Sequence, residues 1–301
     1  MKKLVLLFII IYITYCSFGQ IEHTIPIESK NNRTYISVRI GELVITDVLL
    51  DTGFSFDGLM LFDPSYMDSL DISNASRVQI GGAGSGDDAG ALLIDSTTFS
   101  LGKTAINNQP VIILSQSPGF MANGLIGYSI FGHFITEFDY DMNLMVLHDT
   151  GWISLTDEWS RVPIYFKNNN IPWLNASVSI SDEKPVQLSM YIDFAAGDEL
   201  VMLEKPDMKF TLPSETEDFF LGRGLSGDIY GKKGRVSRVI IGEYELKDLE
   251  ASFAPAEVRS RQDNADAILG NRFLKRFNII FDYNRRELFL KPNSRFSDIV
   301  N

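Results

Sequence analysis

Two aspartates occupy equivalent places in two similar stretches of the sequence. Asp51 follows an apolar run in VLLDTGFSFDGLML, and Asp193 follows one in MYIDFAAGDELVML. Two carboxyl groups held close together cannot both ionise cheaply, so they share one proton. The ionised member can take a proton from a bound water that attacks a carbonyl, while the protonated member hydrogen-bonds the carbonyl oxygen. Asp51 and Asp193 are therefore the predicted catalytic pair, and this chemistry requires no metal, cofactor or covalent intermediate.

An internal repeat is what pairs the two aspartates. They lie 142 residues apart, the Ser-Gly-Asp triplets at 85–87 and 226–228 lie 141 apart, and the Phe-Asp-Tyr triplets at 138–140 and 281–283 lie 143 apart. Landmarks that keep their order at a nearly constant spacing indicate a repeated unit. We therefore expect two homologous lobes, residues 20–152 and 160–297, joined by a linker around GWISLTDEWS.

The elements that must position these residues are mostly β-strands. Short runs rich in β-branched and aromatic residues, among them RTYISVRI, LVITDVLL, LMVLH and ELFLKP, are punctuated by Gly, Asn, Asp or Pro. Helical signals are few: DPSYMDSL, with Asp63 as N-cap and Pro64 in the first turn, and YSIFGHF and NRFLKRF, each about two turns. The sequence predicts an all-β protein with short helices.

Residues around the pair could support it. Gly53 allows a sharp backbone turn beside Asp51, and the Thr52 hydroxyl can hydrogen-bond across the interface between the lobes. Two glycine-rich stretches, 81–87 and 222–228, are typical of mobile hairpin tips over a cleft. Four residues of these stretches are candidate supporting or substrate-binding positions: Ser85, Gly86, Ser226 and Gly227.

These motifs resemble the aspartic protease superfamily that includes retropepsins and pepsins, and most closely its bacterial, exported, two-lobed retropepsin-like members. The resemblance rests on Leu-Leu-Asp-Thr-Gly at 49–53, the glycine-rich stretches, Leu-Ile-Gly at 125–127, Ile-Leu-Gly at 268–270 and the Phe-Asp-Tyr triplets. It covers nearly the whole chain after residue 19. It implies two pepsin- or retropepsin-like β-barrel lobes with a central cleft, an Asp51/Asp193 dyad, and an endopeptidase that acts on polypeptides without a cofactor.

The second motif departs from the family pattern. Phe194 stands where the family has a hydroxyl, so a reciprocal threonine clasp cannot form, and Ala195 replaces the glycine of the turn. Phe54 occupies a position where the family prefers a small residue. The alternative is therefore a pseudoprotease that binds a peptide or envelope component in the same cleft, with both aspartates as relics. An active half-enzyme that dimerises through lobe one is disfavoured, because the second lobe would occupy that face.

The N-terminus and the charge bear on location and partners. Lys2 and Lys3 precede an apolar run too short for a comfortable transmembrane span, and Ser17-Phe18-Gly19 fits a cleavage site. We expect a signal peptide at 1–19, export to the periplasm or the extracellular space, and no stable membrane insertion after cleavage. Lipid anchoring at Cys16 is disfavoured because Tyr15 precedes it.

Other partners and chemistries are disfavoured by the same sequence. The net charge of −12 argues against nucleic acid as a partner, and intrachain pairing of the lobes predicts a monomer. The three histidines lack metal-ligand spacing, and neither the full phosphate-binding pattern Gly-x-x-x-x-Gly-Lys-Ser/Thr nor a Gly-x-Ser-x-Gly motif occurs. Asp139 and Asp282 are interpreted as turn residues between two strands.

Overall fold

A computed structural model describes residues 23–84, 86–152, 154–167, 169–181, 184–255 and 264–297. The predicted signal peptide, Cys16 and Ser85 lie outside the described residues. No helix within these ranges has the length and apolar character needed to cross a membrane.

Strands dominate the described residues, so the all-β prediction is confirmed. The strands are β1 (His23–Pro26), β2 (Glu28–Lys30), β3 (Arg33–Ile40), β4 (Leu43–Leu50), β5 (Leu59–Leu61), β6 (Ser76–Ile80), β7 (Ala89–Leu101), β8 (Thr104–Leu114), β9 (Gly124–Ile126), β10 (Ile135–Asp139), β11 (Leu144–His148), β12 (Ser160–Pro163), β13 (Tyr165–Phe166), β14 (Pro172–Ser179), β15 (Val186–Asp193), β16 (Leu200–Leu203), β17 (Glu217–Gly224), β18 (Gly227–Ile241), β19 (Tyr244–Ala254), β20 (Ala267–Gly270), β21 (Phe277–Asp282) and β22 (Glu287–Pro292).

The helices are shorter than predicted. Asp63 accepts a hydrogen bond from the Ser65 N–H at 2.9 Å and begins a 3₁₀ helix at Pro64–Asp68, as expected. The expectation of two turns for each of the other helices is wrong, because α1 (Tyr128–Phe131) and α2 (Asn271–Leu274) are single turns. Gly132 ends the first, and the start of β21 follows the second within three residues.

Two eight-stranded sheets have the same strand order. Lobe one, as we call it, contains the sheet β2-β3-β4-β9-β5-β8-β7-β6, and lobe two contains β13-β14-β15-β20-β16-β19-β18-β17. Each sheet also pairs with itself, β3 with β7 and β14 with β18, so each curls toward a barrel. This is the two-lobed β-barrel architecture expected from the sequence.

A six-stranded sheet joins the lobes. Its order is β1-β11-β10-β21-β22-β12, and β10 pairs antiparallel with β21 at its centre. Trp152, Leu155 and Trp159 of the connecting segment pack against buried apolar residues of this sheet, so the segment covers part of it. The proposed lobe boundaries at 152 and 160 stay a prediction.

Candidate active site

Each aspartate of the predicted pair lies at the end of a strand in the middle of its sheet. Asp51 follows β4, which runs parallel to β9, and Asp193 ends β15, which runs parallel to β20. Leu50 and Ile192, the residues just before them, are completely buried. The apolar runs that precede the aspartates therefore act as anchors, and they fix the point where the chain emerges from the core.

Two glycines allow the active-site loops to lie against the neighbouring strands. A Cβ atom on Gly127 would lie 2.2 Å from the Asp51 carbonyl oxygen and 2.5 Å from that of Phe54. A Cβ atom on Gly270 would lie 2.2 Å from the Asp198 carbonyl oxygen. These short distances leave no room for a side chain, so glycine is required at both positions, after Ile126 and after Leu269.

The helix that follows each glycine holds the loop of its own lobe. The Tyr128 N–H donates to the Phe54 carbonyl at 3.3 Å, and the Asn271 N–H donates to the Ala196 carbonyl at 2.8 Å. These bonds involve only the backbone, so they are independent of the sequence differences between the two loops.

The two carboxyl groups converge beside Gly53. A Cβ atom there would lie 3.0 Å from Asp51 Oδ1 and 3.4 Å from Asp193 Oδ2, so the two carboxyl groups lie side by side. Burial raises the pKa of Asp51 well above its ordinary value, and the charge of Asp193 raises it further. The N–H groups of Gly53 and Phe54 oppose this shift without cancelling it. Such a pair holds a shared proton above the pH at which a free aspartate ionises.

Ala195 performs the backbone role of the missing glycine. The Gly53 N–H donates to Asp51 Oδ1 at 2.7 Å, and the Ala195 N–H donates to Asp193 Oδ1 at 2.8 Å. The Ala196 N–H adds a second bond to the same oxygen at 3.1 Å. The altered second motif therefore still orients its carboxyl group.

Thr52 makes a one-sided clasp across the lobes. Its hydroxyl donates to the Ile192 carbonyl at 2.7 Å and accepts from the Phe194 N–H at 3.1 Å. The Phe194 ring is completely buried and contacts Phe138 of lobe one, with ring centroids 5.0 Å apart. Phe194 therefore lies in the aromatic core, and it does not separate the two carboxyl groups.

Sequence reasoning missed two side chains that reach across the lobes. Arg33 Nε donates to the Ala195 carbonyl at 2.7 Å, and Asn170 Nδ2 donates to the Ser55 carbonyl at 3.1 Å. Each residue directly follows a Lys-Asn-Asn triplet, 30–32 or 167–169, and one such triplet lies near the start of each half of the repeat. Each lobe thus supports the active-site loop of the other.

A buried polar group on lobe two was also missed. Asn271 Nδ2 donates to the Asn32 carbonyl and to Thr34 Oγ1, both at 2.9 Å, and Asn271 Oδ1 accepts from the Tyr140 hydroxyl at 3.2 Å. Burial raises the pKa of Tyr140, which keeps this hydroxyl a donor. Tyr283 is buried and stacks on the ring of Phe131. Burial and the charge of Asp51 together raise the pKa of Tyr283.

A basic side chain contacts an acidic one beside each active-site loop, at corresponding positions of the repeat. In lobe two the guanidinium of Arg276 pairs with Glu199, whose side chain is 1% exposed. In lobe one His133 Nε2 lies 2.9 Å from Asp57 Oδ2, and both side chains are about two-fifths exposed. The pair in lobe two is therefore buried, whereas the corresponding pair in lobe one is partly solvated.

Two hairpins, one from each lobe, meet at their tips. Hairpin one is β6–β7 and hairpin two is β17–β18, and their tips are the predicted glycine-rich stretches. The Ser226 N–H donates to the Ala83 carbonyl at 2.8 Å, and the Ser226 carbonyl accepts from the Gly86 N–H at 2.6 Å. The Gly82 N–H donates to the Ser226 hydroxyl at 3.3 Å, and Ser226 is 4% exposed.

The tip residues therefore contact each other in this structure. Gly227 has a φ of +115°, a backbone conformation that favours glycine, so its role is in the turn of hairpin two. Ser226 joins the hairpins, and its contact with substrate stays a prediction. The predicted role of Ser85 falls outside the described residues.

Comparisons with known proteins agree with this architecture. The crystal structure of an aspartic proteinase from Irpex lacteus is similar, with a TM-score of 0.60 and 13% sequence identity over 93% of this chain and 100% of that chain. The chain has a pepsin-like fold. No family model matches the sequence, and no curated protein matches it. The described residues hold no group of three or more His, Cys, Asp or Glu side chains placed to bind a metal ion.

Proposed function

We propose that the protein is an aspartic endopeptidase in which Asp51 and Asp193 activate a water molecule against a peptide bond. The observation that carries the proposal is the convergence of two carboxyls, one from each lobe, beside Gly53. The ionised carboxyl accepts the proton of the water, and the protonated carboxyl donates to the peptide carbonyl oxygen as charge develops there. The pepsin-like fold supports the same conclusion.

The raised pKa of Asp51 gives the expected pH dependence. The mechanism needs one proton on the pair, and this proton is retained until the pH exceeds the raised pKa of Asp51. Hydrolysis is therefore expected on the acid side and falls as the pH rises through that value.

The test is casein hydrolysis across the pH range by the wild type and by the Asp51→Asn and Asp193→Asn variants. Each variant should lose at least about a hundredfold in rate, because general acid–base catalysis of this kind contributes roughly 10²–10⁴-fold. The matched control is Asp139→Asn, which changes a strand-end aspartate that accepts from the Asp141 and Met142 N–H groups. Activity that survives Asp193→Asn overturns the two-carboxylate mechanism.

The second candidate is a pseudoprotease that binds peptides in the same cleft. It is favoured by Phe194, which leaves Thr52 without a reciprocal hydroxyl. Weakened support for the loops can lower the rate through small displacements. Mass spectrometry of peptides after long incubation with wild type separates the two, because a pseudoprotease binds them and yields no products.

The finer placement among two-lobed retropepsin-like proteins also belongs to this proposal. It is supported by hairpins from both lobes that meet at their tips and by the shared strand order of the sheets. Both lobes lie in one chain, so the active unit is a monomer. Export is tested by the N-terminal residue of the secreted form, which is Gln20 if the signal peptide is removed after Gly19.

A further inference from the structure

The sheet face that carries Asp193 becomes polar with increasing distance from the dyad. Paired residues in neighbouring strands point to the same face, and alternate residues along a strand share a face. From β15 the register leads through Ile268 of β20 to Val201 of β16, then to Ser252 of β19 and Lys233 of β18. The side chains of Ser252 and Lys233 therefore share the face of the lobe-two sheet that carries Asp193.

These polar residues form one contact network, which we call the charged wall. Lys233 Nζ lies 2.9 Å from Glu250 Oε1, and Arg272 Nη1 lies 3.1 Å from the same oxygen. The Ser252 hydroxyl donates to Asp198 Oδ1 at 2.7 Å. Asp198 belongs to the active-site loop, so the wall reaches the loop that ends in the dyad.

The charged wall is partly open to solvent and includes two cations that share one carboxylate oxygen. The side chains of Lys233, Glu250 and Arg272 are 24%, 30% and 15% exposed. Arg33 approaches from lobe one, and its charge and that of Lys233 oppose the rise that burial causes in the pKa of Asp198. Glu217, the in-register partner of Lys233, adds a carboxylate to this face, so the local feature is that Lys233 and Arg272 share a single oxygen of Glu250 and keep further N–H donors.

The corresponding face of lobe one is apolar. The register from β5 through β8 to β7 gives Met60, Ile112 and Leu93, and these pack in one cluster with Leu114 and Ala91. The two walls of the cleft therefore differ in chemistry, although the two sheets have the same strand order.

We propose that Lys233 and Arg272 form a specificity site on the lobe-two wall that binds an acidic side chain of a polypeptide substrate. The site rests on the proposed function, because it selects the substrate of that same cleft. An incoming carboxylate would accept from the remaining N–H donors of these two partly solvated cations, and such charge-assisted hydrogen bonds are stronger than neutral ones. Phe219 lies 4.1 Å from Lys233 Nζ and holds the ammonium over its ring.

The geometry of the sheet limits how far the acidic residue of the substrate can lie from the scissile bond. Strand β18 is four strands from β15, which is about 19 Å at the usual strand spacing, and curvature shortens the path. An extended peptide rises about 3.3 Å per residue, so the acidic side chain lies within about six residues of the scissile bond.

The experiment uses amidated peptides of one apolar host sequence that carry a single Glu, Gln or Lys at successive positions. Binding to the non-cleaving Asp51→Asn protein is measured by fluorescence anisotropy, and kcat/KM is measured with wild type. We expect one position at which Glu is preferred over Gln by about tenfold or more. Lys233→Met should reduce this preference to about twofold or less without changing the Gln peptide, and Lys233→Arg should retain it.

The matched control is Lys232→Met. Lys232 is the neighbour on the opposite face of β18 and lies 3.6 Å from Asp218, so its removal should leave the preference unchanged. Equal binding of Glu and Gln peptides, a preference for Lys, binding of no peptide, or an unchanged preference in Lys233→Met would overturn the proposal. Failure of the endopeptidase proposal is distinct, because wild type then cleaves no peptide while the binding series still reports the acid preference.

Discussion

At the scale of single residues, Thr52 connects the two active-site loops through one hydroxyl group. It serves a buried carbonyl and a buried N–H of the other lobe, at Ile192 and Phe194. Removing the hydroxyl leaves both groups without this partner, and an unsatisfied buried polar group costs about 1–3 kcal/mol. We therefore predict that Thr52→Val lowers the free energy of unfolding by about that amount.

Urea unfolding of the wild type and the Thr52→Val and Thr52→Ser variants measures this effect. Thr52→Ser keeps the hydroxyl and should lose only about 0.8 kcal/mol for the missing methyl group. The midpoints should shift without a change in slope, since the folded surface is the same. A Thr52→Val protein as stable as Thr52→Ser would contradict the clasp.

Asp51 should make stability fall as the pH rises. Its folded pKa is raised by burial and by Asp193, so the folded protein keeps a proton that the unfolded chain releases. Stability is full below the unfolded pKa of about 3.8 and is lost up to the folded pKa. We predict that Asp51→Asn becomes more stable relative to wild type as the pH rises through this window, by about 1.4 kcal/mol per unit of pKa difference.

Chemical denaturation at a series of pH values tests the sign. Asp63→Asn is the control, because the Ser65 N–H lowers the pKa of Asp63 and its contribution is lost as the pH falls. The two variants should therefore differ from wild type in opposite directions. A pH-independent difference for Asp51→Asn would show that the carboxyl is not held protonated.

Some of these residues could be predicted from sequence and others could not. The repeat pairs Asp51 with Asp193, and the hydroxyl of Thr52 follows from the motif. Arg33 and Asn170 donate to backbone carbonyls more than a hundred residues away. Every residue has a backbone carbonyl, so the sequence does not indicate which one accepts. Only the packing of the two lobes brings them to their partners.

At the scale of elements, strand positions follow from local pattern. The predicted ranges of β3, β4, β11 and β22 match the structure, since each is an apolar-rich run bounded by turn residues. Asn31 and Asn32 have positive φ in the turn before β3, as short polar residues tolerate. The parallel pairing of β4 with β9 is not local, because more than seventy residues separate the two strands, so strand order could not be predicted.

The two ion pairs behind the active-site loops should differ in strength. Arg276→Ala leaves Glu199 buried without its cation, which costs about 3–5 kcal/mol. His133→Ala breaks a pair that is about two-fifths exposed, and such pairs contribute about 1 kcal/mol or less. We predict that Arg276→Ala lowers the free energy of unfolding, measured with urea, several times more than His133→Ala does.

A second variant separates charge from packing at this position. The double change Arg276→Met with Glu199→Leu leaves no unpaired buried charge, and it should recover most of the stability lost in Arg276→Ala. No recovery would mean that the hydrogen bonds lost in the double variant, from Arg276 to the Phe296 carbonyl and from the Glu250 N–H to Glu199, matter more than the unpaired charge.

At the scale of the whole molecule, the lobes meet through an aromatic core below the dyad. Phe194 of lobe two contacts Phe131 and Phe138 of lobe one, with centroids 5.7 and 5.0 Å apart, and Phe281 at 5.6 Å. Phe194 therefore supplies apolar contact between the lobes where a hydroxyl side chain would supply a hydrogen bond. The absence of a hydroxyl at position 194 can be read from the sequence. The aromatic contacts of Phe194 cannot, because they depend on rings that the central sheet brings together.

We predict that placing a hydroxyl side chain at position 194 destabilises the protein. Phe194→Thr supplies the hydroxyl of a reciprocal clasp, which is a gain of about 1 kcal/mol. It also leaves a cavity among buried rings, and truncating a buried phenylalanine costs about 3–5 kcal/mol. We expect a net loss of roughly 2–4 kcal/mol in the free energy of unfolding.

Phe220→Thr is the matched control for this change. Phe220 lies on hairpin two and is 46% exposed, so its replacement should have little effect on unfolding. If Phe194→Thr were as stable as wild type and hydrolysed casein faster, the clasp would outweigh the aromatic contact, and Phe194 would be a defect in the active site. If it unfolds more easily, as we expect, Phe194 is the residue that couples the lobes in place of the missing hydroxyl.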